Sequence, residues 1–257
     1  MPPRKRSRRS GRRHPSKAPR VQGHGAVARA KPAPRSPAAL WREVLLDALD
    51  APCPEEAVLE AVDAAFDHLD ATLAANPPPL PLECAEGCHF CCHTHVSTTP
   101  LESFAMLAHM DAAMAPEERP ATRQRILALG QTLRGKTHAE IYAMRRLTAC
   151  PFLQQEGCAS YPARPLVCRS WHSVSRASCR LALMSDDPDA AIENYPARLD
   201  YAEQMQRGML QALEERGIEA GLVVSTRALG RLLAGGEWRE TFSAWLAGAR
   251  VFSVRRN

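Results

Sequence analysis

The stretch Cys84-Ala85-Glu86-Gly87-Cys88-His89-Phe90-Cys91-Cys92 places four thiols within nine residues. Packing alone does not require that density, whereas soft-metal coordination does. The fold that holds it is decided by the sequence on either side. Upstream, Pro77-Pro78-Pro79 and Pro81 end a helix and force an extended entry into the cysteines. That helix is expected after Pro54, with Val58, Leu59, Val62, Phe66, Leu69 and Leu73 on one face. An earlier helix starts near Ala38 and carries Trp41, Val44, Leu45, Ala48 and Leu49. Downstream, Thr99-Pro100-Leu101-Glu102 reads as a capping box with proline at the first helical position, opening a helix through about Met114. Further helices are expected at about 121–134 and 138–147, around Leu199, Met205, Met209, Leu210 and Leu213, and at about 225–234 and 238–248. No strand–helix alternation and no internal repeat is visible. The expected fold class is therefore all-α: an irregular helical domain around two cysteine-rich loops forming a metal site.

The second loop holds Cys150, Cys158, Cys168 and Cys179 and is expected to be irregular, broken by Gly157, Pro162 and Pro165. Eight of the nine cysteines thus fall in two groups, and all eight are candidate metal ligands. Several thiolates brought together need a cation or an iron–sulfur core to offset their repulsion. The adjacent Cys91 and Cys92 point in different directions, so they do not bind one ion identically. The spacing suits a [4Fe-4S] cluster with extra thiols, or two zinc ions. Cys53, in Ala-Pro-Cys-Pro, reads as an ordinary small apolar residue. Arg164 and Arg169 flank Cys168 and are candidates to offset thiolate charge from just outside the ligand shell. Tyr161 and Trp171 either shield the site or simply pack. His89, His93, His95 and His172 lie close enough in sequence to replace a cysteine.

The chain has 257 residues and a formal net charge of +5. That charge is unevenly placed. Residues 1–40 contain twelve Lys or Arg and no acid, leaving 21 basic against 28 acidic side chains in the remainder. Residues 1–37 are expected to be a disordered basic tail rich in proline and arginine, and residues 38–257 a single helical domain. Nucleic acid would be bound only weakly, through the tail, with salt-sensitive affinity. The cysteine usage fits a reducing compartment, and the sequence has neither a membrane-length apolar run nor a secretory leader. A cytoplasmic protein without membrane attachment is expected. P-loop, G-x-G-x-x-G, G-x-S-x-G and H-E-x-x-H motifs are all missing.

Together, Cys-Ala-Glu-Gly-Cys-His-Phe-Cys-Cys, Thr-Ala-Cys-Pro-Phe-Leu from residue 148 and Cys-Ala-Ser-Tyr-Pro-Ala-Arg-Pro-Leu-Val-Cys-Arg-Ser-Trp from residue 158 resemble the YkgJ-like cysteine-cluster family. The resemblance covers about 84–180 and implies zinc or iron chelation. It places Cys84, Cys88, Cys91, Cys92, Cys150, Cys158 and Cys168 on the family's cysteines and Cys179 on a looser position. Tyr161, Arg164, Pro165 and Arg169 fall on its Y-x-x-R-P-x-x-C-R stretch. Relatives of a flagellin lysine N-methylase belong to that family, so the resemblance also admits an Fe–S-dependent enzyme that modifies protein. The spacing of Cys84, Cys88 and Cys91 further resembles the cluster loop of radical S-adenosylmethionine enzymes. Those need a βα barrel, which the helical pattern does not provide, and Gly235-Gly236-Glu237 lies too near the C-terminus to be their cofactor motif. A last alternative is a zinc module that sets a protein or RNA partner beside the tail.

Overall fold

The computed structural model describes residues 35–252 except 86, 156 and 188. The expected tail therefore lies almost wholly outside the described residues. Among those residues ten α-helices are connected by loops and two very small sheets, so the fold is mainly helical, as the sequence predicts.

The N-terminal half follows its capping signals. Helix α1 (Pro37–Leu49) begins with proline at its start and the Ser36 side chain accepting from the Ala39 amide. Helix α2 (Pro54–Ala75) again opens on proline and buries Val58, Val62, Phe66, Leu69 and Leu73. Helix α3 (Pro100–Ala113) has the predicted capping box, with Thr99 and Glu102 satisfying each other's backbone amides. Helices α4 (Arg119–Thr132) and α5 (His138–Met144) follow, the latter with a second capping box between Thr137 and Glu140. Later come α8 (Pro196–Glu215), α9 (Ser225–Ala234) and α10 (Trp238–Leu246).

The second cysteine group departs from the expected irregular loop. Helix α6 (Leu166–Ser170) carries Cys168, and α7 (Arg176–Met184) carries Cys179 behind a Ser175 cap. Neither is long enough to show a clear period. Two-residue ladders complete the frame: β1 (Ser97–Thr98) pairs antiparallel with β4 (Val223–Val224), and β2 (Leu153–Gln154) with β3 (Gly157–Cys158). Gly157 has φ +147°, which suits glycine, at the tight return that sets Cys158 opposite Leu153.

The core joins α1, α2, α3, α8, α9 and α10 around Phe66, Phe104, Phe242 and Trp245, with Phe104 and Phe242 rings 4.6 Å apart. Two glycines permit close helix approach. A Cβ on Gly208 of α8 would lie 2.2 Å from the Ala38 carbonyl oxygen of α1, and one on Gly230 of α9 would lie 2.8 Å from the Gly130 Cα of α4. The α1–α8 packing fixes the helix that forms one wall of the cysteine chamber. No helix of the described residues is long and apolar enough to cross a membrane.

Candidate metal centre

Two loops distant in sequence are joined through their backbones. Residues 90–93 form a single 3-10 turn, and the Cys150 amide donates to the Cys92 carbonyl at 2.7 Å. Helix α7 also packs directly against this turn. The segment before Cys84 is tied to α7 as well: the Glu83 amide donates to Ser173 O at 3.0 Å and the Glu83 carboxylate accepts from the Arg176 amide at 2.6 Å. The Ser173 amide points at Cys84 Sγ, 3.2 Å away.

These ties enclose a cavity of about 1340 Å³. Cys84, Cys88, Cys91, Cys92, Cys150, Cys158 and Cys168 all line it. Cys179, on α7, is buried and is not part of that lining. Cys53 is exposed, away from the chamber. The opposite wall comes from α8, with Glu203, Gln206 and Arg207, and from Ser225 and Thr226 at the start of α9. Among the described residues, no three thiol, imidazole or carboxylate groups are gathered tightly enough to hold an ion as they stand. The thiols ring the chamber instead of meeting at one point.

Enclosure governs their acidity. Burial is the main cause that pushes the Cys150 thiol up to about 12, and it drives Cys168 well above the ordinary range, helped by Cys150, Cys91 and Cys158. Cys84, Cys158 and Cys179 are also raised chiefly by burial. Cys91 is raised above all by its hydrogen bond with Cys92, then by burial. Cys91 presents surface to the cavity, yet protein surrounds it closely enough to disfavour its thiolate. These thiols are protonated unless a cation stabilises their charge, so the donor set fits a soft metal.

The two candidate arginines separate. Arg164 lines the chamber, lies 3.5 Å over the Tyr161 ring, and stabilises negative charge on Cys91 and Cys158. Arg169 faces elsewhere: it pairs with Asp70, donates to the carbonyls of Arg164 (2.8 Å) and Pro162, and covers the Phe66 ring. It braces the loop before Cys168. Trp171 and Tyr161 both line the cavity.

The histidines separate similarly. His95 is hydrogen-bonded through both ring nitrogens, to Thr226 Oγ1 at 3.1 Å and Thr148 Oγ1 at 3.0 Å, and burial lowers its pKa. His172 is committed to Ser170 O at 2.7 Å and the Tyr195 amide at 3.1 Å. Neither has a free lone pair for a metal. His93 donates Nδ1–H to Arg145 O at 3.1 Å, and neither it nor His89 lines the chamber.

Two groups were not foreseen from sequence. Burial lowers the Arg198 pKa while the nearby Cys84 opposes that shift, and the Arg198 Nε is buried with no hydrogen-bond partner among the described residues. Glu102 is fully buried: one carboxylate oxygen accepts from the Leu166 amide at 2.7 Å, the other from the Thr99 amide (2.7 Å) and Gln206 Nε2 (2.9 Å). It couples α3, the start of the Cys168 helix and α8. The capping box revealed its first contact but not the other two, which depend on tertiary packing.

A second cavity of about 380 Å³, with Asp63, Asp67 and His109 in its wall, contains no thiol. Burial, then the like charge of Asp67, raises the Asp63 carboxyl there.

Residues 83–193 match the family described as "CxxCxxCC: Putative zinc- or iron-chelating domain". The matched segment includes both cysteine groups and all eight candidate ligands. No curated protein and no solved structure matches the chain.

Proposed function

We propose, from the premise that residues 83–193 carry this cysteine-cluster domain, that the protein holds zinc or iron in the thiol-lined chamber. The observation that carries this reading is the convergence of seven cysteines from two remote loops on one cavity. Because burial raises their proton affinities, binding would release protons and metal affinity should rise with pH. Cys84, Cys88, Cys91, Cys92, Cys150, Cys158, Cys168 and Cys179 are the proposed ligands, with Arg164 offsetting their charge. These thiols would have to close on an ion to hold it, which would link loading to stability. When bound, zinc would supply a structural closure and an iron–sulfur cluster would supply electron transfer.

The chamber's volume supports a second reading, in which an iron–sulfur centre serves an enzyme that modifies protein side chains. An ion alone does not require so much space. Residues 38–257 would act as one helical domain in the cytoplasm, and residues 1–37 would add weak, salt-sensitive retention of nucleic acid.

Anaerobic purification followed by elemental analysis tests these readings. Brown protein with iron and acid-labile sulfide is expected for the enzyme reading; colourless protein containing zinc removes it and leaves metal chelation standing. Cys88→Ser and Cys168→Ser are expected to lower metal content. Metal content unchanged in both variants defeats the ligand assignment.

A further inference from the structure

We propose that α7 is the contact between two copies of this chain, laid antiparallel about a two-fold axis that passes between Ala182 and Leu183. The inference lies beyond metal binding and stands whether or not the thiols hold an ion.

The two faces of α7 are reversed for a helix that packs only on its own chain. Its buried residues are small, Ser178, Cys179 and Ala182. Its large apolar residues point to solvent: Leu181 is 70% exposed and Met184 59%, with exposed Ala177 one turn before Leu181. Surface helices ordinarily turn such residues inward. A third lies beside the end of the helix. Leu147 is 88% exposed, and Arg146 next to it donates to the carbonyls of Leu183 at 3.2 Å and Ser185 at 3.1 Å, so the end of α5 grips the end of α7. One exposed leucine needs no partner, but a local group of three large apolar side chains marks a contact surface.

The charges around these side chains identify what covers them. Arg176 and Arg180 are exposed in the first part of α7, and Asp187 and Asp189 are exposed just past its end. None of these four belongs to an ion pair among the described residues, whereas Asp186 is paired with Arg146. The surface therefore runs basic, apolar, acidic along one helix. A uniformly acidic partner would be repelled by the aspartates, and a basic one, such as segment 1–34, by the arginines. A second copy laid antiparallel reads the same order in reverse and meets opposite charge at both ends. That is the self-complementary patch of a two-fold dimer. Setting Leu181 of one copy against Met184 of the other brings Arg176 opposite Asp189 and Arg180 near Asp187. The apolar middle then leaves water, and the charged ends fix direction.

Analytical ultracentrifugation of the full-length chain under reducing conditions, over a range of concentrations, tests the proposal. A species of twice the 28.2 kDa chain mass is expected as concentration rises, with a dissociation constant that increases with salt. Leu181→Glu is expected to weaken the dimer at least about tenfold. Two charge-reversed proteins test the direction of packing: Arg176→Glu with Arg180→Glu, and Asp187→Lys with Asp189→Lys. Each alone sets like charge against like and is expected to be monomeric where the native chain is dimeric. Mixed, they meet opposite charge at both ends and are expected to dimerise again. A native chain that stays monomeric at every concentration overturns the proposal and leaves the face to another protein. A dimer unaffected by Leu181→Glu places the contact elsewhere and overturns it too. Charge-reversed variants that circular dichroism shows folded, yet that dimerise alone or stay apart on mixing, overturn the antiparallel pairing. The native mass decides dimerisation even where a variant fails to fold.

Discussion

Glu102 shows how one side chain connects the helical frame to the thiols. Its carboxylate is buried and satisfied by donors from three parts of the chain. Glu102→Ala leaves the Leu166 and Thr99 amides and Gln206 without that acceptor, and a loss of about 3 kcal/mol or more in urea-unfolding free energy is expected. Glu102→Gln keeps the shape and should cost less. The pH dependence has a definite sign. Burial raises the folded-state pKa above the unfolded value, so the folded state binds more protons in between and stability grows as pH falls through the folded pKa. The gain levels off below the ordinary glutamate value. Measured at several pH values, the stability difference between the native chain and Glu102→Gln should move in the native chain's favour on acidification; a flat difference would refute it. Spacing marked the cysteines as candidate ligands, because chemistry alone gives a cluster of thiols meaning. Arg198 was not legible: it meets Cys84 only after more than a hundred intervening residues have folded.

At the scale of elements, prolines and capping boxes made the helix starts readable, since those signals act within one turn. Helices α6 and α7 escaped because five and nine residues hold too little periodicity, and two-residue strands cannot display alternation. The helix crossings were equally hidden: nothing local marks Gly208 or Gly230 as contact points. Gly208→Ala and Gly230→Ala force a methyl group against facing backbone, and each is expected to lower stability by about 1–3 kcal/mol. Gly235→Ala, with its nearest contact at 3.5 Å and φ of −79°, should be neutral or slightly stabilising. Urea midpoints for the three variants check the contrast. Because Gly208 seats α8 on α1, its replacement should also reduce metal retention, whereas Gly235→Ala should not.

For the whole molecule, metal and fold should be linked. A chelator is expected to lower the Tm of the metal-loaded chain and to leave that of Cys88→Ser nearly unchanged, because only a group bound more tightly by the folded state adds stability. Calorimetry with and without chelator measures it. Removing residues 1–34 retains the Ser36 cap and should leave Tm and metal content unchanged while abolishing low-salt retention on nucleic acid. Unchanged retention would show the basic segment to be idle. The backbone bond from Cys150 to Cys92 uses main-chain atoms alone, so it survives exchange of either cysteine for serine. Such a variant would keep the two loops in register, and metal lost from it would report on the missing donor.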